Sequence, residues 1–208
     1  MVKYTLTYFN VRGAGELSRL IFKLAKVDFE DKRVAGEEWT KLKPDMPMGA
    51  LPVLEVDGVK ICQSSAIARY LAREFGLVGS TNLESLRIDE AHEVFTEMFT
   101  GELTKIFQAA KDDKPKLAKE FVEGKLLKYL DFFEKRLKEN KTGFYVGNKL
   151  TLGDLLIYHV LGLLETILKG VEMKLDLSKR DWLQKVKTNV ESNPEIKKWL
   201  AERPQTAM

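Results

Sequence analysis

Leu51-Pro52-Val53-Leu54-Glu55-Val56-Asp57-Gly58-Val59-Lys60-Ile61-Cys62-Gln63-Ser64-Ser65 is the stretch whose reading decides the fold. Pro52–Val56 and Val59–Ile61 are β-prone, and the Asp57-Gly58 between them suits a tight two-residue hairpin turn. A helix then starts at Ser64 or Ser65 and runs through Ile67, Tyr70 and Leu71 to Phe75, with Gly76 as its C-terminal stop.

Toward the N-terminus, residues 3–8 (Lys-Tyr-Thr-Leu-Thr-Tyr) read as a strand. Residues 15–26 place Leu17, Leu20, Ile21 and Leu24 at helical spacing, and residues 29–34 read as a second strand. This β-α-β opening implies two parallel strands joined by a crossover helix. The order β-α-β, loop, β-β-α, with a proline opening the third strand, is the thioredoxin-like plan. From Leu83 onward strand signals vanish, and helical patterns follow one another with breaks at 112–115, 140–148, 169–176 and 193–194. We therefore expect an α/β domain over 1–77, a linker over 78–82 and an all-α domain over 83–208.

The composition suits a soluble globular chain: 44% hydrophobic and 31% charged residues are enough for a sizeable core. The 34 basic and 31 acidic residues are interleaved, and a net charge of +3 leaves no electrostatic footprint for nucleic acid or an anionic membrane. A single cysteine, Cys62, excludes an internal disulfide, and no basic-then-apolar leader precedes Tyr4, so a cytoplasmic setting is expected. The most apolar run, residues 155–164, is too short to span a bilayer and reads as a buried helix.

That helix has a well specified start. Thr151 can cap it while Asp154, three residues on, answers to the Thr151 backbone, a capping box that a buried helix start needs. Asp154 in an apolar setting is also a candidate catalytic acid, but the threonine at this spacing favours a structural role for the pair.

Thioredoxin-like proteins usually carry a redox cysteine where the first strand meets the first helix; that turn here reads Phe9-Asn10-Val11-Arg12-Gly13-Ala14-Gly15, and no Cys-x-x-Cys occurs. Cys62 reads as a small buried hydrophobe. Any sulfur chemistry must then arrive with a substrate thiol. Tyr8, last on its strand at the carboxyl end of the sheet, can donate to such a thiolate or simply pack. Gln63 and Ser64 stand at a helix N-terminus, where they can bind a carboxylate or merely cap. Leu51, before Pro52, can offer its backbone to an extended peptide ligand. Trp39 and Lys43, four apart, can hold a second carboxylate or just face solvent. His92 and His159 have no ligand partners at metal spacing, so no metal is expected.

Taken together, Tyr4–Asn10, Arg12-Gly13, Leu51–Gly58, Gln63–Leu71 and Arg203-Pro204-Gln205-Thr206 resemble the sigma class of cytosolic glutathione transferases over nearly the whole chain. The resemblance is to nematode-type members, which are related to glutathione-dependent prostaglandin D synthase. It implies a glutathione site in which Tyr8 activates the thiol, Leu51 binds the cysteinyl backbone, and Gln63 and Ser64 hold the γ-glutamyl end. Trp39 and Lys43 would hold the glycine carboxylate, with Gly49 and Ala50 completing the site.

It also implies a homodimer and an electrophile pocket formed by the all-α domain, for which Phe9, Phe99, Leu156, Val160 and Met208 are the candidates. The implied activity is conjugation of glutathione to small hydrophobic electrophiles, a detoxification chemistry. Prostaglandin isomerisation and the binding of haem-like hydrophobic ligands are the alternatives. Prostaglandin-isomerising relatives carry an arginine where this chain has Ala14 and an aromatic residue where it has Thr104. The acidic residue that reaches the partner's glutathione amine in relatives is replaced by Thr96, with Glu97 beside it.

Overall fold

Strand β1 (Tyr4–Phe9) buries Tyr4, Leu6 and Tyr8 on one face by simple alternation. The computed structural model describes residues 2–206 and places β1 second in a four-stranded sheet of order β2-β1-β3-β4. β2 (Glu30–Val34) runs parallel to β1; β3 (Val53–Val56) and β4 (Val59–Cys62) follow antiparallel. Tyr8 is the penultimate residue of β1 rather than its last, because Phe9 still pairs with Val34. At the hairpin, Asp57 (φ 47°) and Gly58 (φ 89°) both take positive φ, the geometry that a two-residue turn between twisted strands requires.

Helix α1 (Glu16–Ala25) crosses between the parallel strands and buries Leu17, Leu20, Ile21 and Phe22. Helix α2 (Gly36–Leu42) precedes the hairpin, and α3 (Ser64–Glu74) follows it. Tyr4, Phe22 and Phe75 form an aromatic cluster beneath the sheet, with Phe29 stacked on Phe22 at 4.3 Å.

The described helices continue with α4 (Asn82–Met98), α5 (Thr104–Gln108), α6 (Lys114–Phe121), α7 (Leu127–Asn140), α8 (Leu152–Lys169), α9 (Asp181–Ser192) and α10 (Pro194–Glu202). Two π-helical turns, Phe99–Leu103 and Val122–Leu126, interrupt otherwise continuous helices. The chain thus has a thioredoxin-like N-terminal domain followed by a helical one.

Its compact units are Met1–Leu77 with Glu191–Met208, and Val78–Val190. Residues 191–206, read from sequence as part of the all-α domain, pack in the first unit, where Glu16 accepts hydrogen bonds from Trp199 and Arg203. No helix among the described residues is long and apolar enough to cross a membrane.

In the second unit α8 is buried along most of its length, so its first amides need internal partners. Asp154, 0% exposed, supplies them: one carboxylate oxygen accepts from the Tyr145 amide, the other from the Thr151 amide and hydroxyl, each at 2.8 Å. Burial outweighs these bonds and pushes the carboxyl up to about 6. Removing the side chain takes the acceptor from three buried donors, two of them main-chain amides.

Asp154→Ala should therefore lower stability by roughly 2–4 kcal/mol in urea unfolding. The native state also holds this proton more tightly than the unfolded chain does. Its contribution is fully present below the ordinary carboxylate value and is lost as pH rises through about 6. The stability difference between wild type and Asp154→Asn should accordingly shrink between about pH 4 and about pH 7.

Candidate functional site

The end of β1 and the turn after it are built around the Tyr8 ring. A Cβ added to Gly15 would lie 2.6 Å from Tyr8 Cδ1, and one added to Gly13 would lie 2.6 Å from Tyr8 Oη. Gly13 also sits at φ 34°, in the region that favours glycine. The missing side chains let the backbone close down on the phenol, and the Ala14 amide donates to Tyr8 Oη at 3.0 Å. An amide engaging the oxygen as acceptor leaves the phenolic O–H to be donated elsewhere. Tyr8 is buried, with 9% of its surface exposed.

Ala14 also lines a cavity of about 170 Å³ in the first unit. Leu51, Pro52, Gln63 and Ser64 line the same cavity, together with Ala50, Met48 and Cys62. The Leu51–Pro52 peptide bond is cis. Gln63 occupies an unusual backbone region for a non-glycine residue (φ 76°, ψ 105°), an outlier of the kind that clusters at ligand sites. Its amide nitrogen reaches Met48 Sδ at 3.4 Å. Immediately after it, the first amides of α3 lack intrahelical acceptors and carry the positive end of the helix dipole. The cavity can therefore hold an anionic group beside an extended backbone.

Ala50, Leu51, Gln63 and Ser64, all singled out from sequence, thus meet at one cavity, with Tyr8 joined to its wall through Ala14. Trp39, Lys43 and Gly49 lie outside that lining. Trp39 packs edge-to-face on Phe9 at 5.5 Å, and Lys43, exposed, runs past Gly49. Cys62 departs from the sequence reading: it is half-buried and faces the cavity, because it ends the edge strand β4 rather than entering the core.

Of the apolar candidates in the second unit, Phe99 is half-exposed, whereas Leu156 and Val160 are fully buried along α8 and present no surface to a ligand. Phe99 belongs to an aromatic group with Phe95 and Phe107, and Phe95 in turn meets His159. Met208 lies outside the described residues. Glu97 is engaged within its own unit, accepting from the Tyr129 hydroxyl at 3.1 Å and from Lys128 at 3.4 Å. Burial and Glu97 together push the Tyr129 phenol up to about 12. Among the described residues no cluster of His, Cys, Asp or Glu could hold a metal ion.

Residues 4–73 match the glutathione S-transferase N-terminal domain, and residues 97–203 match the glutathione S-transferase C-terminal domain. The chain belongs to the glutathione S-transferase family. This transferase is 41% identical to glutathione S-transferase 1 of Ascaris suum, with 99% of each chain covered. Its structure is similar to that of a glutathione S-transferase from Ascaris lumbricoides (TM-score 0.87, 40% identity, 99% of this chain and 100% of the other). It is also similar to prostaglandin synthase D of Nilaparvata lugens (TM-score 0.86, 34% identity, 98% of this chain and 100% of the other). Members of the family use glutathione as co-substrate.

Three residues in or beside the site were not among the glutathione-site candidates read from sequence: Ala14 and Met48, which line the cavity, and Arg19, which lies 5.8 Å from the Tyr8 ring centre. Ala14 betrays itself only through the glycines on either side of it, and Met48 through nothing in its surroundings. Arg19, fully buried, lies next to the apolar positions of α1 and carries a signal only as a cation beside them. The packing around Tyr8 can be tested directly. Gly15→Ala should cost about 1–3 kcal/mol of stability in urea unfolding, since the tyrosine ring must shift to admit one methyl group; a change within about 0.5 kcal/mol would contradict the close approach.

Proposed function

We propose that this transferase ionises glutathione at Tyr8 and adds the thiolate to small hydrophobic electrophiles. The observation that carries the reading is the Ala14 amide bonded to Tyr8 Oη beside the cavity, which frees the phenolic proton for an incoming sulfur. A free thiol titrates near pH 8.5 and is only a few per cent ionised at neutral pH. A donor aimed at the thiolate favours the charged form and lowers that pKa. A lowering of two units makes thiolate the dominant species, and corresponds to about 2.7 kcal/mol.

The rest of the cavity serves the tripeptide. In this reading Leu51 pairs its backbone with the cysteinyl residue, and Gln63 and Ser64, with the first amides of α3, hold the γ-glutamyl carboxylate. Trp39 and Lys43 take the glycine carboxylate, with Gly49 and Ala50 shaping the approach. The electrophile is held against apolar surface for proximity and desolvation, part of which Phe9 supplies, its ring 5.6 Å from that of Tyr8. We assign the protein to the sigma class, acting as a cytosolic homodimer. No metal is required in this scheme.

A second reading, glutathione-dependent prostaglandin isomerisation, draws support from the likeness to prostaglandin synthase D of Nilaparvata lugens. Ala14 and Thr104 stand against it. An assay of the purified protein with glutathione against an aryl halide, an unsaturated aldehyde and a prostaglandin endoperoxide separates the two.

Tyr8→Phe should lower neutral-pH kcat/KM toward the aryl halide by about tenfold to a hundredfold, equivalent to about 1.4–2.7 kcal/mol, with the rate rising only at more alkaline pH. An unchanged rate and pH profile would defeat the role given to Tyr8. Ser64→Ala and Gln63→Ala should instead raise the glutathione KM by about tenfold while leaving kcat within about threefold of wild type.

A further inference from the structure

Arg19 is the bulkiest fully buried side chain among the described residues, with none of its surface exposed. A guanidinium in a core is costly to desolvate unless every donor finds an acceptor, and an apolar residue of similar volume often serves stability as well or better. Its donors point in a particular direction. Nε donates to Asp31 Oδ1 at 2.9 Å, and Nη1 to Glu16 Oε2 at 3.3 Å. The remaining contacts go to main-chain carbonyls: Val11 at 2.8 Å, and Arg12 and Phe9 at 3.5 Å each. Those three carbonyls belong to the backbone that leads from β1 into the Gly13–Gly15 turn, and that turn delivers the Ala14 amide to Tyr8 Oη. The guanidinium carbon also lies 5.8 Å from the centre of the Tyr8 ring.

The charges around it are nearly balanced. Asp31 is shared with Arg33, and Glu16 with Arg203 at 2.8 Å and the Trp199 indole at 2.9 Å. Burial alone would raise the Glu16 carboxyl, but the bonds from Arg203 and Trp199 and the charges of Arg203 and Arg19 outweigh it and hold it below the usual range. Glu16 is therefore an anion at neutral pH. Through it the C-terminal helix α10 fixes Arg19.

We infer that Arg19 is a positioning residue for Tyr8: it holds the backbone of Phe9, Val11 and Arg12 so that the Ala14 amide meets the phenol, and its charge beside the ring strengthens the hydroxyl as a donor to bound thiolate. This inference rests on the role proposed for Tyr8. A cation near the ring face is attracted to it, and a nearby positive charge makes an O–H group a stronger hydrogen-bond donor. A merely structural arginine would change stability without changing the acidity of a bound thiol.

Arg19→Met is the informative substitution, because Glu16 keeps Arg203 and Trp199, and Asp31 keeps Arg33, so neither carboxylate is stranded. The ionisation of bound glutathione is followed by thiolate absorbance across pH in wild type, Arg19→Met, Tyr8→Phe and the double variant. Arg19→Met should raise the apparent thiol pKa by about one unit, a roughly tenfold loss of thiolate well below it, with the glutathione KM changed by less than about threefold. In the Tyr8→Phe background the same substitution should add no further shift, since its effect passes through the phenol.

An Arg19→Met protein that is folded by near-ultraviolet circular dichroism yet titrates like wild type would overturn the inference, as would an equal shift in both backgrounds. If Tyr8→Phe itself titrates like wild type, the role of Tyr8 falls, and the role of Arg19 falls with it. Should Arg19→Met not fold, Arg19→Lys, which keeps a cation but cannot reach the carbonyls and both carboxylates together, is judged by the same shifts.

Discussion

The contact on which the site depends is a single hydrogen bond, from the Ala14 amide to Tyr8 Oη at 3.0 Å. It forms only because β1 carries the tyrosine to the carboxyl end of an interior strand, and because the two residues flanking Ala14 have no side chains to hold the backbone off the ring. The bond occupies the phenol as an acceptor, so what it has left to offer a ligand is its proton. A sheet that binds ligands beyond its strand ends supplies the place, and the turn supplies the chemistry.

The remainder of the first unit reads as support for that place. The hairpin of β3 and β4 ends at Cys62, Gln63 takes a backbone conformation that ordinary residues avoid, and α3 begins at once, so its unpaired amides open onto the cavity. On the other side of Tyr8, Arg19 and Glu16 tie the β1 turn to α10 through buried, charge-assisted hydrogen bonds. Both devices spend backbone freedom or desolvation where a plain core would not. The second unit spends a buried aspartate for a different purpose, the closure of the α8 N-terminus against its own loop.

Features set by local chemistry were legible in the sequence. Asp57-Gly58 specified its turn through backbone preference alone, and Thr151 with Asp154 specified a cap through spacing alone. Strand alternation put Tyr4, Leu6 and Tyr8 on one face, and the start of α3 was read as Ser64 or Ser65, of which the structure takes Ser64. What escaped depends on contacts between residues far apart in the chain. Nothing near Glu16 announces that Trp199 and Arg203 will find it, so the C-terminal segment was read with the helices that precede it instead of with the sheet. The exposure of Cys62 follows from its strand lying at the sheet edge, a matter of strand order rather than of composition. The π-helical turns at Phe99 and Val122 left no periodic signature because each perturbs the helix by a single residue.

The most direct test of the central claim is a crystal structure of the protein with glutathione bound. The account predicts the cysteinyl sulfur within about 3.5 Å of Tyr8 Oη, with the Ala14 amide still bonded to that oxygen from the opposite side. A tripeptide seated in the cavity with its sulfur more than about 5 Å from the phenol, or a Tyr8 hydroxyl turned to donate to protein instead, would contradict it.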